Sequence, residues 1–238
     1  MITDAVILMA GTASRLRGLA KPLMPINQRP LISYTLEALE KVGVQNVHAI
    51  VGPNGEELAA ALAPLISREM NFHAVSNPNW QKQNGVSLLA AAGKVRAPFF
   101  LVMGDHLFDA AILERMIEHA QPEDLNLAVD AKIDSVFDLD DAMKVQTENE
   151  FVVAIGKTLS TFNAIDTGIF ICPESIFDFL HSVLRDGDCS LADGVRAMAQ
   201  QRKVRAIHIG EAWWQDVDTP AMLQHVEEFL TAQTLAAE

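Results

Sequence analysis

The stretch AVILMAGTASRLRGLAKPL, residues 5–23, joins an apolar run to a loop that is rich in small and basic residues. The apolar run predicts a buried strand, and ligands bind beyond the carboxyl ends of strands in an open parallel sheet. Small residues let backbone N–H groups approach a phosphate chain closely, while Arg15 and Lys21 would neutralise its charge. The stretch therefore predicts a phosphate-binding loop at a strand end.

Two widespread phosphate-binding patterns are missing from this loop. It does not end in Gly-Lys-Ser/Thr, as a Walker A loop does, and it contains no GxGxxG dinucleotide fingerprint. The remaining interpretations are a phosphate loop of another type or a tight turn with solvated cations.

Outward from this loop, apolar runs alternate with helix-patterned segments, which predicts an α/β fold. We expect a mostly parallel, Rossmann-like central sheet that is covered by helices on both faces. The predicted strands are 5–10, 47–52, 72–76, 99–104 and 125–131, and the predicted helices are 30–42, 55–68, 86–94 and 109–120.

After residue 130 the regular alternation of predicted strands and helices ends. AMKVQ and FVVAIG flank the polar turn TENE and predict an antiparallel hairpin. The strands DTGIFIC and VRAIHIG follow, with helices over 174–185, over 190–201 and from 219 onward. With no linker or repeat in sight, we interpret this part as a small antiparallel elaboration of a single domain over 1–238.

Composition narrows the class of protein. The 238 residues carry a net charge of −13, which argues against a nucleic-acid or anionic-membrane surface. No apolar run approaches the roughly 20 residues that cross a bilayer, so we expect no direct membrane insertion. The first residues, MITD, lead straight into a strand without a basic signal region, which predicts a cytoplasmic protein.

Carboxylates follow the apolar runs at two further places. Asp105 comes directly after FFLVMG, and Asp216 and Asp218 lie in WWQDVDTP before a predicted helix. Mg²⁺ binds through one or two carboxylates together with substrate phosphates. These residues therefore predict a Mg²⁺ site; the alternative is that Asp105 forms a turn and Asp218 caps a helix.

The sequence AVILMAGTASRL followed by KPL resembles the signature of nucleotidyltransferases that join an NTP to a phosphorylated small molecule. That signature is a strand, then A-G-x-G-[ST]-R-[ML], then Lys-Pro. The resemblance implies that the nucleotide is bound by Ala10, Gly11, Thr12, Ala13, Ser14, Arg15 and Lys21. Ala13 replaces the second glycine of the signature, and its methyl group takes room beside the phosphates.

The same resemblance extends to the metal. The family places one aspartate after its fourth strand, which matches Asp105. It places a second acidic ligand in a late W-x-D-[VI]-[DN]-[TS] segment, which aligns with Asp218, our preferred ligand, or with Asp216.

Five further segments, NGVSLL, MGDHLF, IGKTL, AIDTGIF and WWQDVDTP, resemble the CTP:inositol-1-phosphate cytidylyltransferases. The resemblance runs from residue 5 to about residue 222 in the same order. It implies Mg²⁺-dependent transfer of CMP from CTP to inositol 1-phosphate, with a nucleotide-binding half over about 1–130 and an acceptor-side half over about 131–238. Some members are fused to a membrane transferase that uses the product; here we expect a separate enzyme to use it. A homodimer is left open.

A polar segment, KQNGVSLL, could bind the base and ribose of the nucleotide. The residues that could contact them are Gln83, Asn84, Gly85 and Ser87, and Gly104 would lie beside the nucleotide. The alternative for Asn84 or Ser87 is that it caps a helix.

On the acceptor side, Lys157 could hold the acceptor phosphate as a point charge, assisted by Lys144, or could be an exposed hairpin lysine. Asp166 and Thr167 suit polyol hydroxyls, and His106 is either a ligand-facing donor or a packed residue. The expected catalytic cations are Arg15, Lys21 and Lys157.

Two other functions fit the sequence less well. A different acceptor, phosphocholine or a sugar 1-phosphate, would keep the fold; phosphocholine favours an aromatic and acidic cage, for which DTGIFI offers one Asp and one Phe. A non-catalytic nucleotide-sugar binding module would be expected to lack Lys21 or the carboxylates, and all of these are present.

Overall fold

A nine-stranded sheet forms the centre of the fold in the computed structural model, which describes residues 1–11, 20–53 and 55–237. Two two-stranded sheets accompany it. The strands are β1 (Asp4–Leu8), β2 (Pro25–Ile26), β3 (Arg29–Pro30), β4 (Asn46–Val51), β5 (Asn71–Ser76), β6 (Phe99–Met103), β7 (His106–Phe108), β8 (Leu125–Asp130), β9 (Lys144–Glu148), β10 (Phe151–Gly156), β11 (Ala164–Cys172), β12 (Val204–His208) and β13 (Trp214–Asp216). The helices are α1 (Leu31–Lys41), α2 (Gly55–Leu62), α3 (Asn84–Leu89), α4 (Ala110–His119), α5 (Ile176–Val183), α6 (Leu191–Gln200) and α7 (Pro220–Ala237).

The strand order of the large sheet is β5-β4-β1-β6-β11-β8-β12-β10-β9. Strands β5, β4, β1 and β6 run parallel, as do β8 and β12. Strand β11 runs antiparallel to both β6 and β8. The α/β class is confirmed, but the expectation of a mostly parallel sheet is wrong, because the sheet is mixed from its centre outward.

The reason for this error lies in β11. A continuous apolar run predicts a strand that is buried on both faces, but not the direction in which it runs. We expected DTGIFIC in a small elaboration beside the sheet, whereas it lies at the sheet centre between β6 and β8.

Helices pack against both faces of the sheet. One core cluster joins the sheet to α3, α5 and α6, for example through Leu88, Leu180 and Val195. The other face packs against α1, α2 and α4. A third cluster includes Met24, Leu107, Val217 and Val226, and it attaches α7 beside β7 and β13.

The predicted elements agree with the structure apart from their ends and four short strands, β2, β3, β7 and β13. The helix predicted over 55–68 ends at Leu62 and continues only as a 3₁₀ turn over Ala63–Leu65, which contains Pro64. Proline has no N–H group to continue an α-helix. The unexpected strands β7 and β13 pair antiparallel and place Asp216 opposite His106.

None of the helices in the described part of the chain has both the length and the apolar character that a membrane crossing requires.

A polar cluster lies at the start of β1 and β4. The buried Asp4 accepts hydrogen bonds from the Asn46 side chain, at 3.1 Å, and the Arg96 backbone N–H. The buried His48 lies 3.3 Å from Asp4, and its ring stacks on that of His73. Burial lowers the pKa of His48 below its ordinary value; the hydrogen bond with Asp4 opposes this shift, and the charge of His73 adds to it.

This lowered pKa gives the fold a pH dependence. The unfolded chain takes up a proton at this histidine near pH 6.5, whereas the folded chain does so only at lower pH. The free energy of unfolding should therefore fall as the pH drops below about 6.5. Urea denaturation between pH 7 and pH 5 measures this. In His48→Gln the decline should be shallower, and an unchanged decline would rule out His48 as its source.

Candidate active site

A cavity of about 1060 Å³ opens beside the carboxyl ends of β6 and β8. Its walls come from the start of α3, the segment 130–143, the end of β10, and parts of β11, α6, β13 and α7. The cavity thus lies where ligands bind in open α/β sheets, and both halves of the chain contribute to it.

Lys21, Asp105 and Asp218 meet at this cavity. The Lys21 ammonium lies 3.1 Å from Asp105 Oδ2 and also contacts Asp218 Oδ1. These residues are 84 and 197 positions from Lys21 in the chain. The side chains are about three-quarters buried, so the sequence-predicted lysine and two of the predicted carboxylates do converge at one point.

The lysine and the aspartates of this group stabilise one another's charged forms. Burial disfavours the ammonium form of Lys21, but the charge of Asp105 and the hydrogen bond with Asp218 outweigh burial and raise its pKa. Burial alone would raise the pKa of Asp105; its hydrogen bond with His106 and the charges of His106 and Lys21 instead hold it well below the ordinary value. Asp105 is therefore ionised at neutral pH.

The positions of the three predicted metal ligands differ. Asp105 and Asp218 both reach a single cationic atom, and carboxylate oxygens are suitable ligands for Mg²⁺. Asp216 also lines the cavity, but its Oδ1 accepts from the Gln215 side chain at 2.8 Å. No three His, Cys, Asp or Glu side chains form a metal-ligand group within 1–11, 20–53 and 55–237. Asp105 and Asp218 thus fit a metal whose other ligands are substrate phosphates and water.

Asp218 does not need to cap the helix that follows it. The Thr219 hydroxyl accepts a hydrogen bond from the Met222 N–H in the first turn of α7. This leaves the Asp218 carboxylate for its contact with Lys21, which argues against the simple capping alternative.

His106 lies on the cavity wall among three carboxylates. Its Nδ1 donates to Asp105 Oδ1 at 2.8 Å, since Asp105 can only accept. The charges of Asp216 and Asp166 also act on it, and together with Asp105 they raise the pKa of His106 despite its burial. His106 thus lines the cavity and is also packed among neighbouring side chains, and its contact with a ligand stays a prediction.

Gly168 makes room for this histidine. A Cβ at Gly168 would lie 2.8 Å from His106 Nε2, and the residue has a φ of +74°. Gly168 also donates its N–H to Asp166 Oδ1 at 2.7 Å. A larger residue at this position would press on His106 and Met103 and would be strained at this φ.

Asp166 lies in the cavity with an altered acidity. Burial raises its pKa to about 6, although the Gly168 N–H and the charge of His106 oppose the shift. One carboxylate oxygen accepts from the Gly168 N–H, and the residue lines the cavity. Such a group can accept hydrogen bonds from hydroxyls.

Two predicted acceptor ligands are corrected by the structure. The Thr167 hydroxyl is fully buried and donates to the Ala128 carbonyl at 2.9 Å, because alternate side chains of a strand point to opposite faces. The Lys144 ammonium contacts the carbonyl oxygens of Leu139, Asp140, Ala142 and Lys157. Its donors are used in holding the neighbouring loop, so neither residue faces an acceptor.

Lys157 remains at the edge of the cavity. Its side chain is half exposed, and its ammonium forms an ion pair with Asp141 at 2.6 Å. An exposed ion pair of this kind contributes little stability, so an incoming phosphate can replace Asp141 at small cost.

The nucleotide-side predictions divide into three groups. Thr12, Ala13, Ser14 and Arg15 lie outside the described residues. Gln83 and Asn84 line the cavity, and Asn84 Oδ1 also accepts from the Leu191 N–H at the start of α6.

The remaining residues predicted to bind the nucleotide are buried, partly buried or exposed at a strand end. Ala10 is buried and Gly11 is exposed after β1. The buried Ser87 accepts from Asn77, which corrects its predicted ligand contact. Gly85 and Gly104 allow close packing, because a Cβ at either would lie within 3 Å of another residue: the Ser190 backbone for Gly85 and the Met9 side chain for Gly104.

Sequence reasoning assigned no ligand role to several polar and aromatic residues of the cavity, among them Asp130, Lys132, Arg196 and Trp214. Asp130 is the last residue of the apolar strand β8, and Asp105 lies two residues after the end of β6, so the same strand-end signal could have identified Asp130. The neighbour of Trp214, Trp213, packs against Phe229 of α7.

A mixed α/β sheet with a lysine and two aspartates converging at strand ends is the architecture of a nucleotidyltransferase. Residues 5–209 match the MobA-like NTP transferase domain, and the chain belongs to this family.

Curated relatives share the whole of this region. The chain is 30% identical to the bifunctional IPC transferase and DIPP synthase of Aquifex aeolicus, over 97% of this chain and 52% of that protein. It is 31% identical to the protein of the same name from Thermococcus kodakarensis, over 95% and 50%. The chain therefore spans about half the length of these relatives.

A solved structure agrees in fold. The inositol-1-phosphate CTP transferase of T. maritima superposes with a TM-score of 0.84 at 25% identity, covering 97% of this chain and 95% of that one.

Proposed function

We propose that this protein transfers CMP from CTP to inositol 1-phosphate, giving CDP-inositol and pyrophosphate. The observation that carries this proposal is the convergence of Lys21, Asp105 and Asp218 at a cavity that also contains Asp166 and Lys157. The names of the Aquifex relative and of the T. maritima enzyme support the same substrates.

The reaction needs positioning and charge neutralisation more than proton transfer. An oxygen of the acceptor phosphate attacks the α-phosphorus of CTP in line, and a new P–O bond forms. The bond to the β-phosphate oxygen breaks, and its electron pair leaves with pyrophosphate. The attacking oxygen is already ionised at neutral pH, so no general base is required, and Lys21, Arg15 and Lys157 would offset the phosphate charges.

We further propose Mg²⁺ as the cofactor, held by Asp105 and Asp218. When bound, the ion would neutralise charge on the α-phosphate and orient it. Asp105 would offer Oδ2 to the ion, since its Oδ1 accepts from His106. Lys21 would contribute its positive charge to binding of the triphosphate.

The two halves would divide the substrates between them. Residues of about 1–130 would bind CTP through Lys21, Gln83 and Asn84. Residues of about 131–238 would bind the acceptor, with Lys157 at its phosphate and Asp166 at a ring hydroxyl. Asp218 would belong to the nucleotide site although it lies in the second half of a single domain.

The test is a pyrophosphate-release screen. Four NTPs are combined with inositol 1-phosphate, phosphocholine, glucose 1-phosphate and glycerol 3-phosphate. The proposal expects the highest kcat/KM for CTP with inositol 1-phosphate. Good activity with another alcohol phosphate and none with inositol 1-phosphate would overturn it.

Replacement of Asp166 tests the acceptor site. Asp166→Asn keeps an oxygen for the Gly168 N–H but removes the negative charge that faces the ligand. We expect kcat/KM for inositol 1-phosphate to fall about tenfold, since a hydrogen bond to a charged group contributes about 1.5–3 kcal/mol. CTP affinity, measured by calorimetry, should change little. Equal losses with inositol 1-phosphate and phosphocholine would contradict this role.

A further inference from the structure

A chain of contacts leads from a buried carboxylate outside the reacting centre to Asp105. Asp130, at the end of β8, is 3% exposed. Its Oδ1 accepts from the backbone N–H and the ammonium of Lys132, at 2.8 and 2.9 Å. Its Oδ2 accepts from the indole N–H of Trp214 at 3.0 Å. Both oxygens of this carboxylate are therefore in use, and its position is fixed.

Lys132 ties the same carboxylate to the segment that precedes β13. Its ammonium donates to the Gly210 carbonyl at 2.7 Å and to the Ala212 carbonyl at 3.2 Å. Asp130 and Lys132 thus join the end of β8 to the backbone leading into Trp214. The indole is held both through its own N–H and through the segment that carries it.

The face of the indole meets His106. The two ring centroids are 6.0 Å apart and the rings are inclined by 21°. Gly168 lies beside Nε2 of the His106 ring and, as a glycine, places no side chain there. The other nitrogen of the ring, Nδ1, donates to Asp105 Oδ1. The histidine can hold this bond only while its ring keeps this orientation.

The bond from His106 sets the direction of Asp105. With Oδ1 held, Oδ2 is directed at Lys21, where the second carboxylate, Asp218, also arrives. A carboxylate free to rotate would present its oxygens at many angles, and a misplacement of about 1 Å can lower a rate a hundredfold. Orientation of Asp105 therefore depends on a ring that is itself held by Trp214.

We propose that Trp214 is a positioning residue for nucleotidyl transfer, anchored by Asp130 and acting through the ring of His106 on the orientation of Asp105. The proposal rests on the proposed function, in that it assumes Asp105 acts at the reacting phosphate. It does not depend on which phosphorylated alcohol is the acceptor.

The neighbouring tryptophan offers a matched control. Trp213 stacks on Phe229 of α7 with centroids 4.1 Å apart, and it belongs to the cluster that attaches α7. Loss of the Trp213 ring should lower stability without altering the orientation of His106. Loss of the Trp214 ring should lower stability and also free His106.

The test compares Trp214→Leu, Trp214→Phe and Trp213→Leu, using whichever acceptor the parent protein accepts. In Trp214→Leu we expect kcat to fall at least about tenfold, with the KM for CTP within about threefold of the parent. Trp214→Phe keeps a ring face but loses the bond to Asp130, so its kcat should lie between those of the parent and Trp214→Leu. In Trp213→Leu we expect kcat within about threefold of the parent.

Thermal unfolding and calorimetric CTP binding are measured on the same samples. Equal losses of kcat in the two leucine variants, or a loss confined to KM, would overturn the proposal and leave Trp214 a structural residue. If Trp214→Leu does not fold, a kcat for Trp214→Phe equal to that of the parent would overturn it instead. A parent protein active only with another alcohol phosphate would reject inositol 1-phosphate as acceptor, and the comparison of variants would still decide the role of Trp214.

Discussion

Asp105→Asn and Asp218→Asn are each expected to lower kcat by at least two orders of magnitude at saturating CTP and Mg²⁺. A hundredfold loss corresponds to about 3 kcal/mol of transition-state stabilisation. The reason is that both carboxylates converge on one cationic position, and an amide provides neither the negative charge nor a full set of acceptor oxygens. In Asp105→Asn, the remaining amide must also satisfy the bond from His106.

Steady-state pyrophosphate release at several Mg²⁺ concentrations measures this effect. Asp178→Asn, which alters an exposed carboxylate on α5, is the matched control and should retain the parent rate. Turnover close to that of the parent in both site variants would reject Asp105 and Asp218 as the metal ligands. A large loss in Asp105→Asn alone would place the second ligand elsewhere.

Lys21→Ala is expected to lower kcat/KM for CTP about a hundredfold. The variant would lose a charged contact with the triphosphate and the positive charge that offsets the two neighbouring carboxylates. The raised pKa of Lys21, to which Asp105 and Asp218 contribute, keeps the ammonium charged throughout the usual assay range. Without it, the two carboxylates would repel each other and the incoming triphosphate. The effect should therefore fall on CTP binding and rate.

The affinity for the acceptor distinguishes a role of Lys21 in CTP binding from a role in acceptor binding. Calorimetric titration with inositol 1-phosphate should give a similar dissociation constant for Lys21→Ala and the parent protein. Lys41→Ala, at the exposed end of α1, controls for the loss of a surface lysine and should behave as the parent does. If the variant changed only the KM of the acceptor, Lys21 would belong to the other side of the cavity.

The sequence by itself determined which segments become strands and which chemistry gathers at their ends. Alternation of apolar runs and helical patterns predicted the α/β class, since burial of apolar side chains follows from their spacing. Asp105 at the end of an apolar strand and Lys21 beyond β1 were predicted to share one cavity, and the structure brings them within 3.1 Å. Local patterns carry this information because strand ends of a sheet share an edge.

Only the tertiary structure decided which way each side chain faces. Asp166 and Thr167 are neighbours with similar chemistry, yet one lines the cavity and the other is buried against Ala128. Trp213 and Trp214 both line the cavity, yet Trp213 stacks on Phe229 of α7 and Trp214 stacks on His106. Successive side chains of a strand point to opposite faces, and a shift of one residue exchanges them.

The direction of β11 and the bonds of Lys144 likewise depended on distant parts of the chain. An apolar run is compatible with parallel and antiparallel neighbours, and pairing with β6 and β8 selected the antiparallel direction. Lys144 carries a charge suited to a phosphate, but its ammonium donates to four backbone carbonyl oxygens. Local sequence specifies the strands and the charges, whereas long-range packing determines which groups remain free to bind.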